Sequence, residues 1–315
     1  MPSIREKISR CWSGQIVWNC PMTGFSSLKV GGPADAVIEP ATKEDLIRLV
    51  SCLTAEGVPW QVIGRGTNIL PADQGVEGVV IVLGRHFAAI QEVVGEGGSR
   101  QVQVDAGCSL TKLVRWCAGR GLSGLEFCFG IPGSVGGAIV MNAGAWGGEI
   151  AQVICEAEFL DDAGHLEHRL LTRNDFCYRG WRHPHGKVVV SGIFIVSSDE
   201  APDIVERCHR YAKARAAKQP KGVASAGSFF KNPEGVAAGW LIEQAGLKGL
   251  RVGGAEVSQV HANFLINRGR ACADDFYQLM RVVQVQVREK FGVELSPEVK
   301  LLGRWYQGGA RDGKE

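Results

Sequence analysis

Glycine supplies 42 of the chain's 315 residues, and it gathers at 64–66, 130–137 and 144–148. Glycine loses more backbone freedom on folding than any other residue. Such clusters are therefore costly unless tight turns, or close approach of backbone to another group, require them. No Gly-X-Y period or Ser/Pro-rich tract accompanies them, which argues against collagen and disorder. The clusters point to tight turns or to backbone that receives a ligand. The rest of the chain is ordinary globular sequence, 45% hydrophobic and 22% charged, long enough for two or three domains with cores of their own.

Charge and cysteine usage narrow the partners. A net charge of +2 falls short of the concentrated basic patch that nucleic acid favours. The densest basic stretch, Lys213 to Lys221, reads first as a solvated helix face and exit loop, with phosphate contact as the lesser alternative. None of the 10 cysteines forms a C-x-x-C pair, so neither a zinc site nor a redox dithiol is indicated. Cys117 and Cys208 lie in apolar stretches, where a thiol packs as a small hydrophobe. Residues 1–20 lack the apolar core of a secretory signal, and no apolar run reaches membrane-spanning length. A cytoplasmic protein of reducing surroundings is expected, monomeric, without metal, membrane or nucleic acid as a partner.

Hydrophobic periodicity sets out the elements. A helix follows Thr42, with Leu46, Leu49, Val50 and Leu53 on one face and Gly57 as its stop. Trp60–Ile63 and Val79–Leu83 read as buried strands and Gln101–Asp105 as a half-buried one. A second helix carries Leu110, Leu113, Val114 and Cys117. Strands follow near 153–160 and 187–196. After a change of texture near 198–202 come a polar helix Ile204–Ala217, a helix around Ala238–Ala245, a strand Asn263–Asn267, and a long helix from Asp274 to Phe291 closed by Gly292. The class is α+β. The expected division is a peripheral segment 1–24, a first domain 25–198, a second domain 199–303, and a mobile tail 304–315.

Five motifs are candidates for chemistry. In Gly64-Arg65-Gly66-Thr67-Asn68 a buried strand ends in a glycine turn able to point several N–H groups at an anion. It is neither the Rossmann fingerprint, since Ile69 replaces the third glycine, nor a P-loop. Gly130-Ile131-Pro132-Gly133-Ser134-Val135-Gly136-Gly137-Ala138 lets a flat ligand or a pyrophosphate lie against backbone, with close helix–strand packing as the alternative. Taken together the two segments favour a dinucleotide cradle. Gly227-Ser228-Phe229-Phe230-Lys231-Asn232-Pro233 puts a serine on a glycine-bearing turn before two aromatics, with no partner histidine for hydrolase chemistry. Ser296-Pro297-Glu298 holds a carboxylate behind a proline. Tyr178-Arg179 offers a guanidinium for a carboxylate or phosphate.

These segments resemble the UDP-N-acetylenolpyruvylglucosamine reductase (MurB) family. The resemblance rests on KVGGPADA at 29–36, Gly64–Leu70, GIPGSVGGAIVMNAGAWGGE at 130–149, Tyr178-Arg179, GSFFKNP at 227–233, HANFLIN at 261–267 and PEVK at 297–300. They run in the family's order, and the second domain lacks a long insertion, as in the family's shorter subtype. The resemblance implies an FAD-binding module of the PCMH (vanillyl-alcohol-oxidase-like) type followed by a smaller α+β substrate domain. It implies non-covalent FAD bordered by residues 64–68, 130–134 and 136–138, with NADPH as co-substrate; nothing around His86 indicates a flavin linkage. It also implies Arg179, Ser228 and Glu298 as catalytic residues, with Tyr178 and Asn232 as substrate contacts; Lys218 and Lys221 of the basic stretch are candidates for the UDP diphosphate. One departure stands out: the family usually has Ser two places after the arginine, where this chain has Trp181.

The implied reaction is NADPH-driven reduction of an enolpyruvyl group on a UDP-amino sugar, a step of peptidoglycan precursor synthesis. Arg179 would pair with the substrate carboxylate, Glu298 would donate a hydrogen bond if protonated, and Ser228 would deliver the proton. Two other readings are open to the sequence: a different PCMH-type flavin oxidase, which leaves GSFFKNP and PEVK unexplained, and a nucleotide-sugar-binding protein without catalysis.

Overall fold

The structure, a computed structural model, describes residues 2–182 and 188–305. The chain forms two compact units. Unit 1 holds Met1–Val17, Ala36–Thr67 and Gly78–Gly222; unit 2 holds Trp18–Asp35, Asn68–Glu77 and Val223–Glu315. An interleaved division thus replaces the single cut expected near 198–202. Its cause is long-range pairing that leaves no local pattern. Strand Ile69–Pro71 runs parallel to Lys300–Leu302, with Leu70 opposite Leu301. Next to it the Asp73 carboxylate accepts the N–H groups of Ala273 and Asp274 at 2.9 and 2.8 Å, satisfying the open start of a helix.

Unit 1 contains helices α1 (Ile4–Cys11), α2 (Lys43–Ala55), α3 (Leu110–Ala118), α4 (Val135–Val140) and α5 (Ala201–Lys218). Segment 1–24 is less peripheral than expected. A Ser3/Glu6 capping box starts α1, Ile8 is fully buried, and Cys11 is disulfide-bonded to Cys52 of α2. The scattered cysteines therefore include a bonded pair. Thr42 caps α2 through the Asp45 N–H at 3.1 Å, and Leu46, Leu49, Val50 and Leu53 form its buried face, as their spacing requires. A five-stranded antiparallel sheet runs in the order Leu166–Leu170, Ile154–Leu160, Val188–Ile195, Arg100–Asp105, Ile90–Val94. Helix α4 lies close to it because Gly192 has no Cβ; one built there would stand 2.8 Å from Ile139 Cδ1. Burial pushes the Cys117 thiol up to about 12 and Cys208 up to about 11, so both are inert packing groups.

Unit 2 contains α6 (Ala238–Gln244) and α7 (Ala273–Phe291) beside a sheet ordered Ala224–Ser228, Phe264–Asn267, Ala255–Val257, Arg251–Val252. Phe276, Leu279, Met280, Val283 and Val287 recur at helical spacing and are buried with Phe229 and Phe230 in one core. Each such side chain contributes about 1.5–3 kcal/mol of burial. Gly292 ends α7 in the left-handed conformation, φ 69°. Residues 304 and 305, which the expected mobile tail includes, are held in the fold. Arg304 pairs with Asp35 at 3.3 Å, and Trp305 stacks on Tyr277 with centroids 5.0 Å apart; residues 306–315 lie outside the described residues. Among the described residues no helix is long and apolar enough to cross a membrane.

Candidate active site

In unit 1 the two glycine segments meet. A Cβ on Gly64 would collide with Ser134 Oγ, and one on Gly133, whose φ is 150°, would stand 3.3 Å from Thr67 Oγ1. Thr67 Oγ1 donates to the Pro132 carbonyl at 3.0 Å. Segments 64–67 and 130–134 thus form one backbone-lined surface, with Gly66 at φ 61° and Gly130 at φ 80°, conformations that side chains resist. The second half of the motif does something else. Val135 and Gly136 N–H donate to the Cys108 and Ala106 carbonyls at 2.8 Å each, and Gly137 N–H donates to the Ser134 side chain at 3.4 Å. Gly136 is small because a Cβ there would press on Ala106 Cβ at 2.8 Å. Close packing, the alternative reading, accounts for this part, and Ala138 is buried beside it. Asn68 also ties residues within unit 2: its Nδ2 donates to the Glu298 carbonyl at 3.1 Å.

Arg215 of α5 faces this surface, and sequence reading overlooked it. A Cβ on Gly130 would stand 3.4 Å from Arg215 Cδ. Its Nη1 donates to Gln219 Oε1 at 3.4 Å, while its Nε is buried without a hydrogen-bond partner among the described residues. Burial, reinforced by the nearby Arg179 charge, holds its guanidinium below the ordinary value. An orphaned cationic donor beside a glycine-lined surface is what an anionic or carbonyl-rich planar group such as FAD requires, so the residues fit that cofactor. The signal was present in the basic stretch 213–221, but periodicity did not separate Arg215 from its neighbours. Helix α5 is bolted in place by Arg207, whose guanidinium meets Glu126 at 2.7 Å and also Asp199 at 2.5 Å. Lys218 and Lys221 are exposed near its end.

Arg179 occupies the tip of a hairpin in which Phe176 pairs with Trp181 and Cys177 with Gly180. Its φ is 53°, a conformation that costs a non-glycine residue about 1–3 kcal/mol. The surroundings enforce it. Arg179 Nη2 donates to the Gly144 carbonyl at 2.9 Å, Asn142 Nδ2 to the Cys177 carbonyl at 3.2 Å, and Arg182 Nε to the Phe176 carbonyl at 2.8 Å. Trp181, the departure from the family pattern, stacks on Phe159 at 4.5 Å and so anchors the hairpin to the sheet. Tyr178 is 49% exposed, with the Arg179 guanidinium 5.3 Å from its ring centroid.

In unit 2, Ser228 lies at the end of a strand rather than on a free turn. It pairs with Phe264 after a register shift that begins at Ser225, and Gly227 before it has φ 77°. Phe229 N–H donates to the Asn263 carbonyl at 2.7 Å, Glu298 N–H to the Phe229 carbonyl at 2.9 Å, and Lys231 N–H to the Ser296 carbonyl at 2.9 Å. An isolated bridge joins Phe230 to Pro297. The serine and the glutamate, 70 positions apart in the chain, therefore sit on adjoining segments. Asn232 is partly committed elsewhere, its Oδ1 accepting the Ala238 N–H at 3.0 Å.

Known proteins match along most of the chain. The family model described as FAD binding domain matches residues 34–169, and that described as the C-terminal domain of UDP-N-acetylenolpyruvoylglucosamine reductase matches 219–302. The protein named UDP-N-acetylenolpyruvoylglucosamine reductase from Geotalea uraniireducens is 40% identical over 302 residues, covering 95% of this chain and 98% of that one. Its namesake from Geobacter metallireducens is 43% identical over 290 residues, covering 92% and 95%. The crystal structure of UDP-N-acetylenolpyruvylglucosamine reductase (MurB) from Thermus caldophilus superposes with a TM-score of 0.77 at 36% identity, covering 91% of this chain and 98% of that one. With an FAD-binding domain followed by this C-terminal domain, and identity sustained over nearly the full length of its relatives, the chain belongs to the UDP-N-acetylenolpyruvoylglucosamine reductase family.

Proposed function

We propose that this chain is an FAD-dependent reductase that uses NADPH to convert UDP-N-acetylenolpyruvylglucosamine into UDP-N-acetylmuramate, acting in the cytoplasm as a monomer. The observation that carries the reading is the near full-length family match. The placement of Ser228 and Glu298 on adjoining segments supports it. When bound, FAD supplies the hydride chemistry. Residues 64–67 and 130–134 hold it non-covalently, and Arg215 offers it a buried cationic donor.

The energetic problem of the reduction is negative charge developing beside the substrate carboxylate. Arg179 pairs with that carboxylate, most strongly as the charge grows. A preorganised donor of this kind lowers a barrier by about 3 kcal/mol, and the enforced hairpin geometry supplies the preorganisation. Glu298, in its protonated carboxyl form, donates a hydrogen bond to the same developing charge. Ser228 delivers a proton from Oγ to the adjacent carbon; a serine hydroxyl is a weak acid, so it protonates only a strongly basic carbanion. Tyr178, Lys218, Lys221 and the Asn232 side chain contact the nucleotide-sugar, the lysines at its diphosphate.

The test is the visible spectrum of the purified protein. Flavin bands are expected, bleached by NADPH and restored anaerobically by the enolpyruvyl sugar nucleotide. A colourless protein, or a reduced flavin that the sugar nucleotide leaves bleached, overturns the reading.

A further inference from the structure

The segment that carries the serine is gripped by a side chain to which the proposed chemistry gives no task. Asn263 is 3% exposed. Its Oδ1 accepts the Phe230 N–H at 2.9 Å, and its Nδ2 donates to the Phe230 carbonyl at 2.8 Å. A primary amide here offers the donor–acceptor pair that a neighbouring strand's peptides would offer. The ladder between Ala224–Ser228 and Phe264–Asn267 loses regular register after Ser225, and the amide takes over where it ends. The Asn263 carbonyl accepts the Phe229 N–H as well, at 2.7 Å, and the same residues 229–231 receive the segment 296–298 through Glu298 N–H and Lys231 N–H. Residues 229–231 are thus a rail shared by Ser228 and Glu298, and Asn263 holds it by three hydrogen bonds.

We infer that Asn263 is a positioning residue for the serine–glutamate pair: by fixing the course of residues 229–230 it fixes where Ser228 and Glu298 stand relative to each other. The inference rests on the reductase reading. Being buried and doubly bonded, the amide is sensitive to its chemistry and not only its shape. Asn263→Asp is nearly isosteric and keeps an acceptor for the Phe230 N–H, but sets an oxygen against the Phe230 carbonyl.

The experiment compares the two half-reactions of the FAD-loaded enzyme by rapid-mixing absorbance, in wild type, Asn263→Asp, Asn263→Ala, Ser228→Ala and the Asn263→Asp/Ser228→Ala double variant. Flavin reduction by NADPH in Asn263→Asp should stay within about twofold of wild type. Anaerobic reoxidation by UDP-N-acetylenolpyruvylglucosamine should slow by about 100-fold, the loss that a misplacement of about 1 Å can cause. Asn263→Ala, which removes both amide bonds without adding charge, should show the same split. The double variant should lose less than the product of the two single losses, because the serine's share of what Asn263 positions is already gone. Unchanged reoxidation in both Asn263 variants, an equal fall in both half-reactions, or multiplying effects in the double variant would each overturn the inference. Wild-type enzyme that the sugar nucleotide fails to reoxidise would instead sink the reductase reading itself, a distinguishable result.

Discussion

Arg179 stands half-buried at the tip of a short hairpin at φ 53°, whereas the two residues that follow Ser228, Phe229 and Phe230, are 0% and 1% exposed. The hairpin is held by separable contacts: a stack on Phe159, an amide to Cys177 and a guanidinium to Phe176. The serine's segment is held by the core of unit 2, where Phe229 stacks on Phe276 of α7 with centroids 6.4 Å apart. The difference matches the tasks proposed for them. A charge clamp tolerates small displacements because Coulomb attraction falls off gently with distance. A proton donor does not, because transfer needs hydrogen-bond contact.

The comparison can be broken from its stiff end. Ser228→Ala should lower turnover by about 10²–10⁴-fold, as loss of a general acid does, while NADPH still bleaches the flavin; normal turnover in a coupled assay would remove the donor assignment. Arg179→Ala should lower kcat by about 10²–10³-fold, the usual loss for one preorganised donor. Arg179→Lys should recover part of that loss, since a point charge replaces a bidentate fork; full recovery would show that the fork geometry is irrelevant.

The softer end sharpens it. The stack of Trp181 on Phe159 is worth about 0.5–1.5 kcal/mol beyond its buried area. Trp181→Ala should therefore lower kcat/KM for the enolpyruvyl substrate by roughly two- to twelvefold, with Trp181→Phe near wild type. A loss as large as that of Ser228→Ala would mean that the hairpin is no more forgiving than the core. Least affected should be Lys218→Ala and Lys221→Ala: exposed charges contribute about 0.2–1 kcal/mol, which is a rise in KM of about fivefold at most, and an unchanged KM in both would remove them from the diphosphate.

What the sequence made legible was mostly local. Thr42 and its apolar face announced α2, and Gly292 announced the end of α7, because caps and periodicity act within a few residues. The glycine segments announced a close approach, but not that residues 130–134 and 135–138 serve different ends; that depends on where Ala106 and Cys108 arrive. Helix α1 escaped notice because only Ile8 is buried, leaving little period to read. Arg215 and Asn263 lay inside segments already singled out, yet helix phase and a strand's loss of register choose them, and neither is written locally. The motif at 64–68 reads as one object in sequence, yet the Asn68 side chain is bonded to the Glu298 carbonyl, 230 positions away.

The pairing of residues 69–71 with 300–302 has a consequence for synthesis. As the chain leaves the ribosome, residues 18–35 and 68–77 emerge early and can pair with each other, the Gly32 N–H donating to the Ala72 carbonyl at 2.9 Å, but strand Ile69–Pro71 gains its partner Lys300–Leu302 only once residues 223–305 have followed. Unit 1 has most of its sequence in hand long before then, and non-local closure of this kind is slow. The half of the molecule that carries the serine and the glutamate is therefore the last to be completed, and no single uninterrupted stretch of the gene encodes it.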